Sequence, residues 1–251
     1  MARSREAPEM RSIPEVRANR KSPIELSARV AENFRRVLAR VSAAAEKSGR
    51  DPSEVTVVAI SKSFGLPEIG AAVAAGITDF GENRVQEAEQ KAPEAPEGIT
   101  WHMVGHVQRN KAARAARLFH TIHSLDSVRL ASALNREAVP SYPVLVQVNL
   151  TANPGQGGVS PEALGKLVSF IDSETELRLE GLMTIAPFTD DRDAKRACFR
   201  RLRELLAVAG QIAPDQPMRH LSMGMTDDFE PAVEEGATMV RIGRAIFGER
   251  G

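Results

Sequence analysis

The sequence predicts an α/β fold: a single (β/α)8 TIM barrel with an extra N-terminal helix and a disordered N-terminal tail. Three observations predict it. Apolar, β-branched runs, too continuous for half-exposed strands, alternate with helical stretches from Val55 to Phe247. They make about eight strand–helix units, in roughly the length that such a barrel needs. The alternative, a doubly wound open sheet, wants a glycine-rich turn after its first strand. The turn here is Ser61-Lys62-Ser63-Phe64-Gly65.

The elements follow in order. Met1–Lys21 is polar, charged, aperiodic and interrupted by two prolines, which reads as a disordered tail. Ser22-Pro23-Ile24-Glu25 resembles a capping box with proline at the first helical position. Leu26, Val30, Phe34, Val37 and Val41 continue that helix to Gly49. Strands are expected at Val55–Lys62, Thr78–Gly81, Thr100–Val104, His120–His123, Val144–Asn149, Arg178–Met183, Arg219–Ser222 and Thr238–Ile242. Helices are expected at Leu66–Ala75, Arg84–Lys91, Gln108–Arg117, Ser127–Arg136, Pro161–Ser173, Arg192–Gly210 and Asp227–Glu235, then a short turn from Gly243-Arg244. Nothing between Val55 and Phe247 reads as a boundary or repeat, so residues 22–251 form one domain.

Composition excludes several classes. Lys+Arg and Asp+Glu both number 33, and a net charge of +0 argues against nucleic acid or a membrane surface as a charge-driven partner. The single cysteine, Cys198, rules out an internal disulfide and a cysteine metal cluster, and reads as a packing residue. No His/Asp/Glu spacing suggests a metal. No apolar run approaches membrane-spanning length and no signal core opens the chain, so a cytoplasmic protein is expected.

Chemistry in such a barrel gathers at the C-terminal ends of the strands. Those ends carry Lys62, Gly81-Glu82-Asn83, His102, Gly105, His123, Asp126, Asn149, Met183-Thr184, Ser222-Met223-Gly224 and Arg241-Ile242-Gly243. Taken singly, Lys62 reads as a strand-end lysine in water, and Asn83 and Asp126 as helix N-caps. His102 suits the rim or a hydrogen bond inside the barrel; His123 and His220 look structural. Their shared rim raises the functional reading. Ser222-Met223-Gly224 and Gly243-Arg244 follow the seventh and eighth strands, where this barrel recurrently binds phosphate. Lys62, partly desolvated, can act as a Schiff-base amine. A phosphate opposite a lysine amine suggests pyridoxal 5′-phosphate. Arg241 can face its ring nitrogen, or form a salt bridge across the barrel mouth.

Ile60-Ser61-Lys62, Phe80-Gly81-Glu82-Asn83, Trp101-His102-Met103-Val104-Gly105, Gln108-Arg109-Asn110-Lys111, Gly181-Leu182-Met183-Thr184, Leu221-Ser222-Met223-Gly224-Met225-Thr226-Asp227-Asp228 and Met239-Val240-Arg241-Ile242-Gly243 resemble the pyridoxal phosphate homeostasis protein family. The resemblance runs from about Phe34 to Phe247. It implies a barrel related to the N-terminal domain of alanine racemases, with Lys62 in a Schiff base to the cofactor. It places Asn83 near the ring, Arg241 near the ring nitrogen, and Ser222, Met223, Gly224, Gly243 and the Arg244 backbone around the phosphate. It further implies a monomeric carrier that buffers pyridoxal phosphate or delivers it to apo-enzymes, with no catalytic residue. Two positions depart from the family. Arg244 replaces a threonine or serine, and Gln156 stands where a lysine is common. The rivals are a true pyridoxal-phosphate enzyme, such as a racemase, and a barrel that binds another phosphorylated metabolite. Against a racemase, the chain ends at Gly251, which leaves no room for the β-rich domain that supplies a second base. Its only tyrosine, Tyr142, precedes the fifth strand at the opposite face.

Overall fold

The structure is a computed structural model and describes residues 22–151, 153 and 155–249. The tail expected over Met1–Lys21 lies outside the described residues. The strands are β1 (Thr56–Ile60), β2 (Asp79–Glu82), β3 (Thr100–Met103), β4 (Thr121–Leu125), β5 (Pro143–Gln147), β6 (Arg178–Met183), β7 (His220–Ser222) and β8 (Met239–Ile242). They close into one barrel in sequence order, and every neighbouring pair is parallel. Closure sets Thr56 opposite Met239 and Val58 opposite Arg241.

The helices are α1 (Pro23–Lys47), α2 (Leu66–Ala74), α3 (Val85–Lys91), α4 (Ala112–Leu118), α5 (Val128–Glu137), α6 (Pro161–Glu174), α7 (Arg192–Ile212), α8 (Phe229–Glu234) and α9 (Arg244–Phe247). α1 starts as its sequence demands. The Glu25 amide donates to Ser22 Oγ and the Ser22 amide to Glu25 Oε2, with Pro23 at the first helical position. Val30, Val37, Val41, Ala44 and Ala45 form its buried face, which packs on α2, α8 and α9. Expected boundaries move by at most two residues except at α4. There Arg109–Lys111 forms a 3-10 turn without a side-chain cap before the α-helix begins.

Strand alternation divides the core in two. Val57 and Ala59, Trp101 and Met103, and Val240 and Ile242 face the helices in one large apolar cluster. Val58, Ile60, Val104 and Met239 form a separate small cluster. The same parity puts His102 beside Val104, and Arg241 beside Met239, on the inner face of the barrel. The interior is therefore partly polar, which bears on the site below.

Gly181 is fixed by the approach of β7. Its φ is 157°, and a Cβ there would lie 1.9 Å from the His220 carbonyl oxygen. Gly181→Ala should force β6 and β7 apart and cost on the order of 3 kcal/mol. Urea denaturation will show this as a lower midpoint, and an unchanged midpoint would refute the packing argument.

Candidate functional site

β1 ends at Ile60, so Lys62 stands in the turn beyond the strand rather than at its last position. Ser63, next to it, takes a left-handed φ of 67°. The Phe64 amide donates to the Ser61 carbonyl at 3.0 Å, which closes this tight turn. Lys62 is half-buried. Because β8 pairs with β1, the Lys62 turn adjoins the loop that leaves β8: a Cβ on Gly243 would sit 3.4 Å from the Ile60 carbonyl oxygen.

The other expected residues share this rim. Asn83 follows β2 and does not cap α3; Arg84 takes that position. Its backbone passes Gly105 so closely that a Cβ there would lie 2.2 Å from the Asn83 carbonyl oxygen, so glycine is required. Asp126 likewise leaves the cap of α5 to Ser127, and accepts instead from His106 Nδ1 at 3.2 Å. Met223 and Gly224 follow β7; the Met223 amide donates to the Met239 carbonyl, and the Arg241 amide to the Gly224 carbonyl, at 3.1 and 3.0 Å. Gly243 is the N-cap of α9, whose first amides, like those of any helix, have no intrahelical acceptor.

Arg241 is 5% exposed, and its guanidinium donates to Ser222 Oγ and to the Thr184 carbonyl, both at 2.8 Å. Burial pulls its pKa down to about 10, opposed by Asp228, so it stays charged at neutral pH. Ser222 is fully buried and also lies 2.9 Å from His123 Nδ1. The hydroxyl expected to reach a phosphate is thus engaged with Arg241 and His123 in this structure. His102 faces the barrel interior rather than the rim; its Nδ1 is 2.9 Å from His123 Nε2 and its Nε2 is 3.0 Å from Asp79 Oδ1. His220 keeps a structural place, 3.2 Å from Thr238 Oγ1.

The two departures are both engaged locally. The Arg244 guanidinium pairs with Asp227 and lies 3.7 Å from Glu249. Gln156 Nε2 donates to the Ile185 carbonyl at 2.8 Å, and its Oε1 accepts from Thr151 Oγ1 at 2.9 Å. It ties the loop after β5 to the segment after β6. Cys198 is buried as expected, and burial pushes its thiol up to about 11. Among the described residues, no group of three or more His, Cys, Asp or Glu side chains is placed to hold a metal, and no helix is long and apolar enough to cross a membrane.

The family model for the alanine racemase N-terminal domain matches residues 28–251. A pyridoxal phosphate homeostasis protein of Pseudomonas aeruginosa is 41% identical over 225 residues, which span 88% of this chain and 96% of that protein. The chain belongs to the pyridoxal phosphate homeostasis protein family. The Escherichia coli K12 member is 37% identical over 229 residues, 88% of this chain and 97% of its own. The structure of PipY from Synechococcus elongatus, solved with PLP bound, superposes with a TM-score of 0.77 at 36% identity, over 87% of this chain and 100% of PipY. Alanine racemase of Corynebacterium glutamicum shares the fold at a TM-score of 0.65 and 16% identity, over 88% of this chain and 61% of the racemase.

In this family member two polar networks leave little trace in the sequence. One is the Asp79–His102–His123 row. Its only signal is histidines at inward positions of successive strands. The other supports the Lys62 turn. Lys91 Nζ, at the end of α3, donates to the Ser61 carbonyl, Glu82 Oε1 and Glu87 Oε1 at 2.9, 2.8 and 2.7 Å. Ser61 Oγ adds a bond to Glu82 Oε1 at 2.7 Å. The two carboxylates respond oppositely to one lysine. Burial, only partly offset by Lys91 and Ser61, raises the fully buried Glu82 above 4.5. Glu87 feels a smaller burial cost, outweighed by the bonds from Lys91 and Ser63, and falls below its ordinary value.

A raised carboxyl binds its proton more tightly in the folded than in the unfolded chain. Its stabilising contribution is present below 4.5 and lost as pH rises through the folded value. Lys91→Met removes the cation and enlarges that shift. At neutral pH it should cost about 3–5 kcal/mol. The deficit against the unmodified protein should shrink as pH falls toward 4.5. Urea titrations at several pH values will check this, and a pH-independent deficit counts against it.

Proposed function

We propose that this protein binds pyridoxal 5′-phosphate at the C-terminal rim through Lys62, and holds it for intracellular cofactor homeostasis by buffering or delivery, without efficient turnover of a substrate. The observation that carries this reading is the β8–β1 closure. It brings the Lys62 turn, the Arg241 strand and the glycine turn at Gly243 to one sector of the rim. The donor set fits the cofactor. A primary amine suits its aldehyde, backbone amides at Gly224, Gly243 and Arg244 suit its phosphate, and a charged donor suits its ring nitrogen. Membership of a family named for pyridoxal phosphate supports the same reading.

The cofactor would supply an aldehyde, whose natural partner is a primary amine. Lys62 provides that amine. Asn83 would contact the ring, Ser222 and Met223 would shape the loop after β7, and the Arg244 amide rather than its Asp227-paired guanidinium would serve the phosphate. Arg241 would donate a hydrogen bond to the ring nitrogen without surrendering a proton, because its guanidinium keeps its charge. A ring nitrogen held in that way would make the cofactor a weak electron sink. Tyr142 cannot serve as a second base at this rim. Its buried hydroxyl donates to the Phe119 carbonyl at 2.6 Å, at the N-terminal side of β4 and β5, and burial raises its pKa. Residues 22–251 act as one cofactor-binding domain, working as a monomer in the cytoplasm, and the recipients are apo-forms of pyridoxal-phosphate enzymes.

Borohydride treatment of the loaded protein should fix the cofactor on the peptide containing Lys62, and Lys62→Ala should abolish trapping while keeping the fold. Trapping on another lysine would sink the assignment. A second test addresses turnover. Deuterium exchange into alanine or serine should stay far below ordinary enzyme rates of roughly 1–1000 per second. Exchange in that range, lost in Lys62→Ala, would make the protein an enzyme.

A further inference from the structure

Five side chains form an unbroken hydrogen-bonded row through the barrel, from its N-terminal to its C-terminal end: Asp79 opening β2, His102 in β3, His123 in β4, Ser222 closing β7 and Arg241 in β8. The four links measure 3.0, 2.9, 2.9 and 2.8 Å from Asp79 to Arg241. His102, His123, Ser222 and Arg241 are all buried, with exposures of 3, 0, 0 and 5%.

The two ends fix its direction. Arg241 can only donate. Burial raises Asp79, but the bonds from His102 and Thr78 outweigh it and hold the carboxyl below its ordinary value, so Asp79 only accepts. His123 is neutral: burial, then the nearby His102, Arg241 and His220, push it well below the ordinary histidine value. With one hydrogen on each ring, one arrangement makes all four bonds. His102 carries its hydrogen on Nε2 and gives it to Asp79. Its Nδ1 then accepts from Nε2–H of His123. Nδ1 of His123 in turn accepts the Ser222 hydroxyl hydrogen, and a lone pair of Ser222 receives Arg241.

We propose that His123 is a positioning residue for the cofactor. It takes up the Ser222 hydrogen and so presents the Ser222 lone pair to Arg241, fixing the guanidinium that meets the ring nitrogen. His102 and Asp79 lock the tautomer that allows this. The inference rests on the proposed cofactor site, and it makes Ser222 an acceptor for Arg241 rather than a donor to phosphate.

The test has two arms. Nitrogen-15 NMR of the unloaded protein at neutral pH should show His102 and His123 both protonated at Nε2 alone. A His123 protonated at Nδ1, or doubly protonated, overturns the proposal without touching the cofactor site. In the second arm, His123→Phe should weaken pyridoxal phosphate binding about tenfold, the scale of one lost charge-assisted hydrogen bond, and shift the absorbance of the bound cofactor. His123→Gln, whose amide both accepts and donates, should restore most of both. Ser222→Ala should reproduce the His123→Phe affinity, and the double variant should be no weaker than either single one, because the effect passes through one hydroxyl. Additive losses, or unchanged affinity and absorbance in a folded His123→Phe, overturn the proposal. Failure of the unmodified protein to bind pyridoxal phosphate would instead bring down the reading beneath it.

Discussion

A guanidinium that is 5% exposed must have its hydrogens accepted by protein, and Arg241 organises the barrel interior accordingly. It calls on Ser222 at the end of β7 and on the carbonyl of Thr184 just after β6. Those partners anchor it to two neighbouring strand ends while its own strand pairs with β1. The inner face is therefore shared between polar and apolar residues. Val58, Ile60, Val104 and Met239 are the buried residues of the small cluster, and a polar row crosses the rest. A partly satisfied polar row in a low-dielectric interior is worse than none. Asp228 opposes the cost of burying this charge, and the links through His123, His102 and Asp79 satisfy the polar groups behind Ser222.

The Lys62 turn solves a similar problem at the rim. A left-handed Ser63 and a tight Ser61–Phe64 turn are weak supports on their own. Lys91 reaches back from the end of α3 to hold the Ser61 carbonyl, and its charge is balanced by Glu82 and Glu87. One lysine thus braces the turn that presents another. The brace leaves Glu82 Oε2 without a hydrogen-bond partner, a cost located beside the site rather than in the outer core.

The outer layers were legible in the sequence because their signals are local and repeated. Continuous β-branched runs mark β1 and β5. The Ser22–Glu25 box marks α1, and Gly76 and Gly236 follow α2 and α8 closely. The rim was legible for the same reason, since residues that end strands must gather there once the barrel closes. What the sequence did not show were the cross-strand pairings. Nothing local says that His102 and His123 point inward at matching depth, or that Asp79 receives one of them. Asn83 and Asp126 look like caps by type, yet Arg84 and Ser127 hold those positions, because the caps are set by where each helix leaves the rim. Lys91 closes the expected helix Arg84–Lys91, and only the packing of α3 against the Lys62 turn gives it three acceptors.

The two positions that depart from the family have one physical feature in common. Each long polar side chain is consumed by its own surroundings. Arg244 is drawn to Asp227 and Glu249. Gln156 spends both ends of its amide, one on Thr151 and one on the Ile185 carbonyl. A lysine there would have only donors and could not accept from Thr151. Glutamine therefore ties the loop after β5 to the segment after β6, one residue beyond the Thr184 carbonyl that receives Arg241. In this chain the loop is coupled by position to the buried guanidinium, and its side chain serves to hold the rim rather than to offer it a second amine.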